Sequence, residues 1–383
     1  MNQRSQAEPA GRRRRLMLSG ILWAALFFAG CQWPADPPHA SIHLHAGSWS
    51  AADGLFHQDS RWLGADDAHS VDLNDGRILW LFGDTFIAPD GSPQRARADL
   101  IRNSIGIQTG SDPSTAAMAF FWRRMAVQRP ASFFAESGFR WFWPGDGMRI
   151  GNRLLIFLTM IEPAENDLGF AVAGWRSVRV ENPDAVPGRW CIEAARQAPH
   201  RFVVALGAGG VLLHGGYLYA YGTPPSGNAA YLARWPEQKA GVGDLRDPQW
   251  WCGNDLGWQN ESSLKGLPAA LFIDGQAEFG VHYEPRVDRY IQIQTIGFGA
   301  VDLGFRTAAR PEGPWSPLNR FYSPQEASAS GILIYAAKSH PFLTGADLVV
   351  TYATNYLDSR RLMASSELYY PRFLKVAVSE VVK

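Results

Sequence analysis

The sequence predicts an all-β fold, a five-bladed β-propeller with a small helical insertion between blades one and two. Three observations carry this. Strand-like runs come in pairs, each pair broken by a tight-turn signal. The second run of a pair is almost wholly apolar, as in residues 78–82, 154–158 and 348–352, the pattern of strands buried on both faces. The turns recur roughly every 60–75 residues, longer than a WD40 or kelch unit, and five such units account for nearly all of the chain beyond its N-terminal segment. A large β-sandwich or jelly roll is the rival, and the weak repeat argues against it.

The N-terminal segment comes first. Residues 12–15 are four arginines, and residues 16–30 are an apolar run too short to span a bilayer, which together read as a signal peptide over 1–30. The run closes in Phe28-Ala29-Gly30-Cys31, which resembles a bacterial lipobox with Phe in place of the usual Leu. That resemblance implies lipidation at Cys31 and anchoring in the membrane. An ordinary signal peptide or an uncleaved anchor remains open, and all three imply export. Gln32, rather than Asp, follows the cysteine, as in lipoproteins sorted to the outer membrane. Residues 31–42, proline-rich at 34–38, read as a tether, and 43–383 as the propeller. Cys191 and Cys252 are the remaining cysteines, and their spacing leaves a disulfide open.

The five hairpins follow in order. The first turns at Asn74-Asp75-Gly76, the second at Gly151-Asn152 and the third at Gly215-Gly216. The fourth has a longer turn at Pro285–Asp288, and the fifth turns at Thr344-Gly345-Ala346. Between the first two, Met118, Phe121, Trp122 and Met125 fall at helical spacing and predict the helical insertion.

Composition narrows the function. The 383 residues carry no net charge, 19% are charged and 13% aromatic. A disordered chain is excluded, and a nucleic-acid partner, which would call for a basic excess, is not expected. No H-E-x-x-H, G-x-S-x-G or phosphate-loop context is present, so neither metal nor cofactor is expected.

What remains is a gathering of carboxylates. Asp66 and Asp67 stand just before the first strand of the first hairpin, and Asp84 ends its second strand, where Gly83 lets the backbone leave the sheet. Asp146 precedes the second hairpin as Asp66 precedes the first, and Glu278 holds the comparable place in the fourth unit. Propeller loops at one end form a pocket, so these groups are expected to share a mouth. A pair of carboxyls, one protonated and one ionised, suits glycosidic cleavage, and clustered like charges keep one protonated near neutral pH. Asp84 capping its own turn, and Glu278 pairing with Arg286 or Arg306, are the structural alternatives. Trp141 and Trp143, beside Asp146, are candidate platforms for sugar rings, whereas Trp80 and Trp315 read as core.

Residues 64–86 followed by "RNSIGI", with "VHYEPRVDRYIQIQ", "RTAARPEGPWS" and "AAKSHPFLTGADLVVTYATN" further on, resemble the signature of domain-of-unknown-function family 4185. That family forms five-bladed propellers and is related to glycoside hydrolase family 183, endo-D-arabinofuranases of bacterial envelope polymers. The resemblance implies Asp66 and Asp84 as catalytic carboxylates, with Asp67 leaving open which of the adjacent pair points inward. It implies Asn103 and Ser104 in the same pocket, and Lys338, His340 and Asn355 facing them from the last blade. With Asp146 as a third catalytic carboxylate and Trp141, Trp143, Glu278 and Arg306 as further substrate contacts, the expectation is a monomeric, lipid-anchored glycosidase of an arabinan-like glycan. A non-catalytic glycan-binding or envelope-assembly propeller is the alternative, and a lyase using His340 as base a more distant one.

Overall fold

The computed structural model describes residues 41–381 apart from 90, 127 and 198–200. The signal-peptide reading, Cys31 and most of the tether lie outside the described residues. Five antiparallel sheets of four or five strands follow one another along the chain, so the five-bladed reading holds. Their inner strands are Trp62–Asp72, Trp141–Ile150, Val211–His214, Gly280–Glu284 and Ile332–His340. Each lies against the next, and the fifth against the first, which closes a ring.

Closure is made by the first strand of the described residues. Ser41–Ser48 pairs antiparallel with Arg372–Val381 over eight register positions and becomes the outermost strand of blade V. This strand takes in Ser41 and Ile42 as well as the residues from position 43.

The core is five wedges, one between each pair of adjacent blades. This explains the doubly apolar strands. In Arg77–Ile87 of blade I, Ile78, Trp80 and Phe82 face blade V, while Leu79 and Leu81 face blade II. Each such side chain, fully buried, contributes about 1.5–3 kcal/mol.

One element differs from the sequence expectation. Among the described residues there is no helix between blades I and II; Ala117–Phe121 is the fourth strand of blade I, and Arg123–Arg124 pairs with Pro130–Ala131 in a small hairpin. Phe120 is buried against Trp62, with ring centroids 4.4 Å apart, and Met118 leans against Gly106 of the neighbouring strand. A sheet edge that needed a partner outweighed a helical spacing of four apolar residues. Cys191 and Cys252 are both free thiols. Among the described residues no helix is long and apolar enough to cross a membrane.

Candidate active site

Asp66, Asp67, Asp84 and Asp146 lie within strands, and Glu278 just before one. Asp66 and Asp67 are part of Trp62–Asp72, and the pairing of that strand with Arg77–Ile87 slips on both sides of Asp67. Asp67 and Ala68 both have left-handed backbone, at φ 66° and 58°. A regular strand would send neighbouring side chains to opposite faces; this bulge brings both carboxyls to one place. The expected choice between Asp66 and Asp67 therefore does not arise.

Gly83 does not release the chain from the sheet, since Arg77–Ile87 continues to Ile87 and there pairs with Asp99–Ile101. Its role is spatial. A Cβ on Gly83 would lie 2.6 Å from Asp66 Oδ1 and 2.5 Å from Asp67 Oδ2, so glycine is what lets both carboxyls rest over this strand. Asp84 is next in sequence and is half-buried, alone between buried neighbours on either side.

Asp66 and Asp84, both partly buried, have different surroundings. Asp66 Oδ2 accepts hydrogen bonds from the Tyr335 hydroxyl at 2.8 Å and the Tyr369 hydroxyl at 3.1 Å. Burial, then the negative charges of Asp84 and Glu278, push its carboxyl up to about 7. Asp84 accepts from Arg102 Nη1 at 3.1 Å and from the Trp143 indole N–H at 2.9 Å. Burial raises Asp84 too, and Arg102 and Trp143 oppose that rise.

Behind them is a deeper group. Lys338, 2% exposed, donates to the Asp67 backbone carbonyl at 2.5 Å and to Glu278 Oε2 at 2.8 Å. Burial, with the charges of Glu278 and Asp66, holds Asp67 well above the usual carboxylate range. For Glu278 burial works in the same direction, but Lys338 and the hydrogen bond from Asp67 outweigh it and leave the group below its ordinary value. Asp67 Oδ2 is buried with no hydrogen-bond partner among the described residues, and the Glu278 carboxyl adds to the rise of Asp67 by its charge and by a side-chain hydrogen bond. The partner of Glu278 is thus Lys338. Arg286 pairs with Glu284, and Arg306 with Asp274.

The other expected residues divide. Asn355 Nδ2 donates to the Tyr335 hydroxyl at 3.3 Å and belongs to the site. Trp143 joins it through Asp84. Trp141 is buried and lies beneath the Arg102 guanidinium, 4.3 Å from its centroid, so Arg102 covers one face of the ring. Asn103 is fully buried and tied to the backbone of Phe134 and Phe142. Ser104 meets Trp62 and Thr85 beneath the site. Asp146 has both oxygens on backbone N–H groups, Gly147 at 2.8 Å and Val211 at 2.8 Å, and burial pushes it up to about 7. Arg306 packs on Phe272 in blade IV. His340 is fully buried with both ring nitrogens engaged, by Ser70 and Thr351, and burial pushes its imidazole down, which leaves the lyase base no free nitrogen.

Arg102, Tyr335 and Tyr369 were missed by sequence reasoning. Arg102 stood in the quoted "RNS" and Tyr335 just before "AAKSH"; for Tyr369 no local signal existed. Among the described residues no group of three or more His, Cys, Asp or Glu is placed to hold a metal ion.

The fold and site define a five-bladed propeller with buried carboxyls gathered where the inner strands of blades I and V meet. The chain belongs to the family described as Domain of unknown function (DUF5005), whose model matches residues 50–378. That family, not family 4185, is the one that matches. No curated protein matches the sequence. Among solved structures, a protein from Bacteroides ovatus ATCC 8483 described as a candidate hydrolase is similar at 16% identity, with 87% of this chain and 90% of that one covered and a TM-score of 0.69. The likeness establishes a shared fold. The catalytic domain of a GH62 α-L-arabinofuranosidase from Coprinopsis cinerea is similar at 10% identity, covering 89% of this chain and 98% of that one, with a TM-score of 0.48. An endo-arabinase from Bacteroides thetaiotaomicron VPI-5482 gives 12% identity, 83% and 94% coverage and a TM-score of 0.43.

Proposed function

We propose that this protein is a glycoside hydrolase in which Asp66 is the proton donor and Asp84 the ionised partner, as nucleophile or base. The observation that carries the reading is the contrast between these two carboxyls on paired strands of one blade. Asp66 keeps its proton near neutral pH, at about 7, and its hydrogen bonds come from neutral hydroxyls. Asp84 is held by a guanidinium and an indole N–H, both of which favour its charged form. Burial raises both carboxyls, and at Asp84 a guanidinium opposes that rise; hydrolysis of an acetal requires one carboxyl that donates to the departing oxygen and another that stabilises or attacks the developing cation at the sugar carbon. Glu278 and Lys338 add a fixed charge pair behind them.

For the substrate, a furanoside, arabinan-like glycan is the class that the resemblance of "GDTF…RNS" implies. The basic and apolar N-terminal run with Ala29-Gly30-Cys31 supports an exported chain anchored by lipid at Cys31, in the outer membrane. Hydrolysis of arabinan and related furanosides is the test. Asp66→Asn and Asp84→Asn should each lower the rate by about 10²–10⁴-fold while the chain stays folded. Glycan bound but left intact by the parent protein would instead establish the non-catalytic alternative. In the native host, Cys31→Ala should release the chain from the membrane fraction; unchanged fractionation would remove the anchor from the reading.

A further inference from the structure

Four of the eight non-glycine residues with positive φ among the described residues surround Asp66. They are Asp67 and Ala68 on its own strand, Ala336 next to Tyr335, and Tyr369 itself at φ 67°. Such conformations cost of order 1–3 kcal/mol each, and they concentrate at one carboxyl.

Each has a geometric consequence. Ala336 lies where the pairing of Ile332–His340 with Leu348–Tyr356 skips from Tyr335 to Lys338. The skip lets Tyr335 reach Asp66 while Lys338, three positions on, reaches Glu278. Tyr369 is locked from two sides. Its N–H donates to the Thr354 carbonyl at 3.0 Å. Its own carbonyl lies 2.3 Å from where a Cβ on Gly64 would stand, so only glycine fits there, two residues before Asp66. Arg95, 4% exposed, donates to the carbonyls of Leu63 and Leu368, which joins the two segments from beneath.

Both phenol oxygens meet the same carboxylate oxygen, Oδ2, and Oδ1 is left over Gly83. We infer that Tyr335 and Tyr369 are positioning residues that determine which oxygen of Asp66 bears the proton: two donated hydrogen bonds occupy Oδ2, so the O–H sits on Oδ1, over Gly83. A hydroxyl must donate to Oδ2 for this to hold, and burial followed by the charge of Asp66 keeps both phenols protonated far above their ordinary range. This deepens the glycosidase reading and rests on it for its catalytic meaning; the placement of the proton does not.

The experiment is a pH titration of the full chain labelled with ¹³C at aspartate side-chain carboxyls, with Asp66→Asn identifying the signal. Tyr335→Phe and Tyr369→Phe, singly and together, remove donors while keeping the rings. The double variant should move the Asp66 midpoint upward by about one unit, the scale for losing two hydrogen bonds to a carboxylate, and the alkaline limb of the hydrolysis rate should move with it. A midpoint that stays or falls in folded variants overturns the inference. If the double variant does not fold, Tyr335→Phe alone must show a smaller shift of the same sign. A parent protein that titrates as described but hydrolyses no glycan sinks the glycosidase reading and leaves the proton placement standing.

Discussion

At Asp66 function and stability pull in opposite directions. The folded carboxyl holds its proton to about pH 7, whereas the ordinary value is 3.8. Between those values the unfolded chain has lost the proton and the folded chain keeps it, so the unfolded state binds fewer protons and stability falls as pH rises. The contribution is complete below about pH 4 and is lost as pH rises through the folded value, with a slope of up to about 1.4 kcal/mol per pH unit. Asp146 adds a term of the same sign. Asp67 and Asp84, both raised, add to it as well, and Asp66→Asn removes one of these contributions. Its thermal midpoint should gain on that of the parent protein as pH is raised from about 5 to 8, while Asp146 keeps some slope in both. Melting curves at several pH values check this, and a difference between the two proteins that does not depend on pH would mean that Asp66 does not hold its proton.

At the scale of the strand, the site is made by irregularity rather than by loops. Inner strands of blades I, II and V each carry a register slip, at Asp67, opposite residues 156–158, and after Tyr335. Each slip lies at or beside a polar side chain discussed above. Gly83 is the counterpart on the second strand, and Gly83→Ala is a sharp probe of it. Its methyl would overlap two carboxyl oxygens at 2.5–2.6 Å, and these side chains cannot retreat without leaving Tyr335, Tyr369 or Glu278. Expected is a loss of hydrolysis of about tenfold or more, since small displacements of reacting groups are costly, with circular dichroism unchanged. A fully active Gly83→Ala would show that the carboxyls need not lie over that strand. These slips set the limit of what could be read from the chain. The hairpins were legible because turn residues and doubly apolar runs announce them locally, as Asn74 and Gly76, both with positive φ, bear out. Asp84 and Asp66 stood out as charges in apolar runs. Tyr335 and Tyr369 did not, because what makes them partners of Asp66 is contact across more than 260 positions of sequence, with separations of 269 and 303. The strand at Ala117–Phe121 was hidden for a related reason: its partner, Ser104–Thr109, decides its conformation.

The whole molecule depends on a ring that is closed by pairing its two ends. Blade V takes three strands from the C-terminal part of the chain and its fourth, Ser41–Ser48, from the start. Leu44 of that strand is 6% exposed, and Ile42 and Ala46 pack on the same wedge between blades IV and V. Asp66 lies on the first blade and its two tyrosines on the last, so the site spans the same closure. Removing the closing strand should therefore act on stability and on the site together. A chain beginning at Trp49 loses the apolar burial of Leu44 and its neighbours, about 2–4 kcal/mol, and exposes Arg372–Val381 as an open edge. A lower melting temperature, by about 5–10 °C, and association at high concentration are expected. The Asp66 titration should shift as blade V loosens against blade I. A chain beginning at Ser41 retains the strand and serves as the control, with the melting temperature of the longer protein. Equal melting temperatures for the two truncated chains would mean that the ring holds without its closing strand, and that the contacts of the inner strands alone keep Tyr335 and Tyr369 on Asp66.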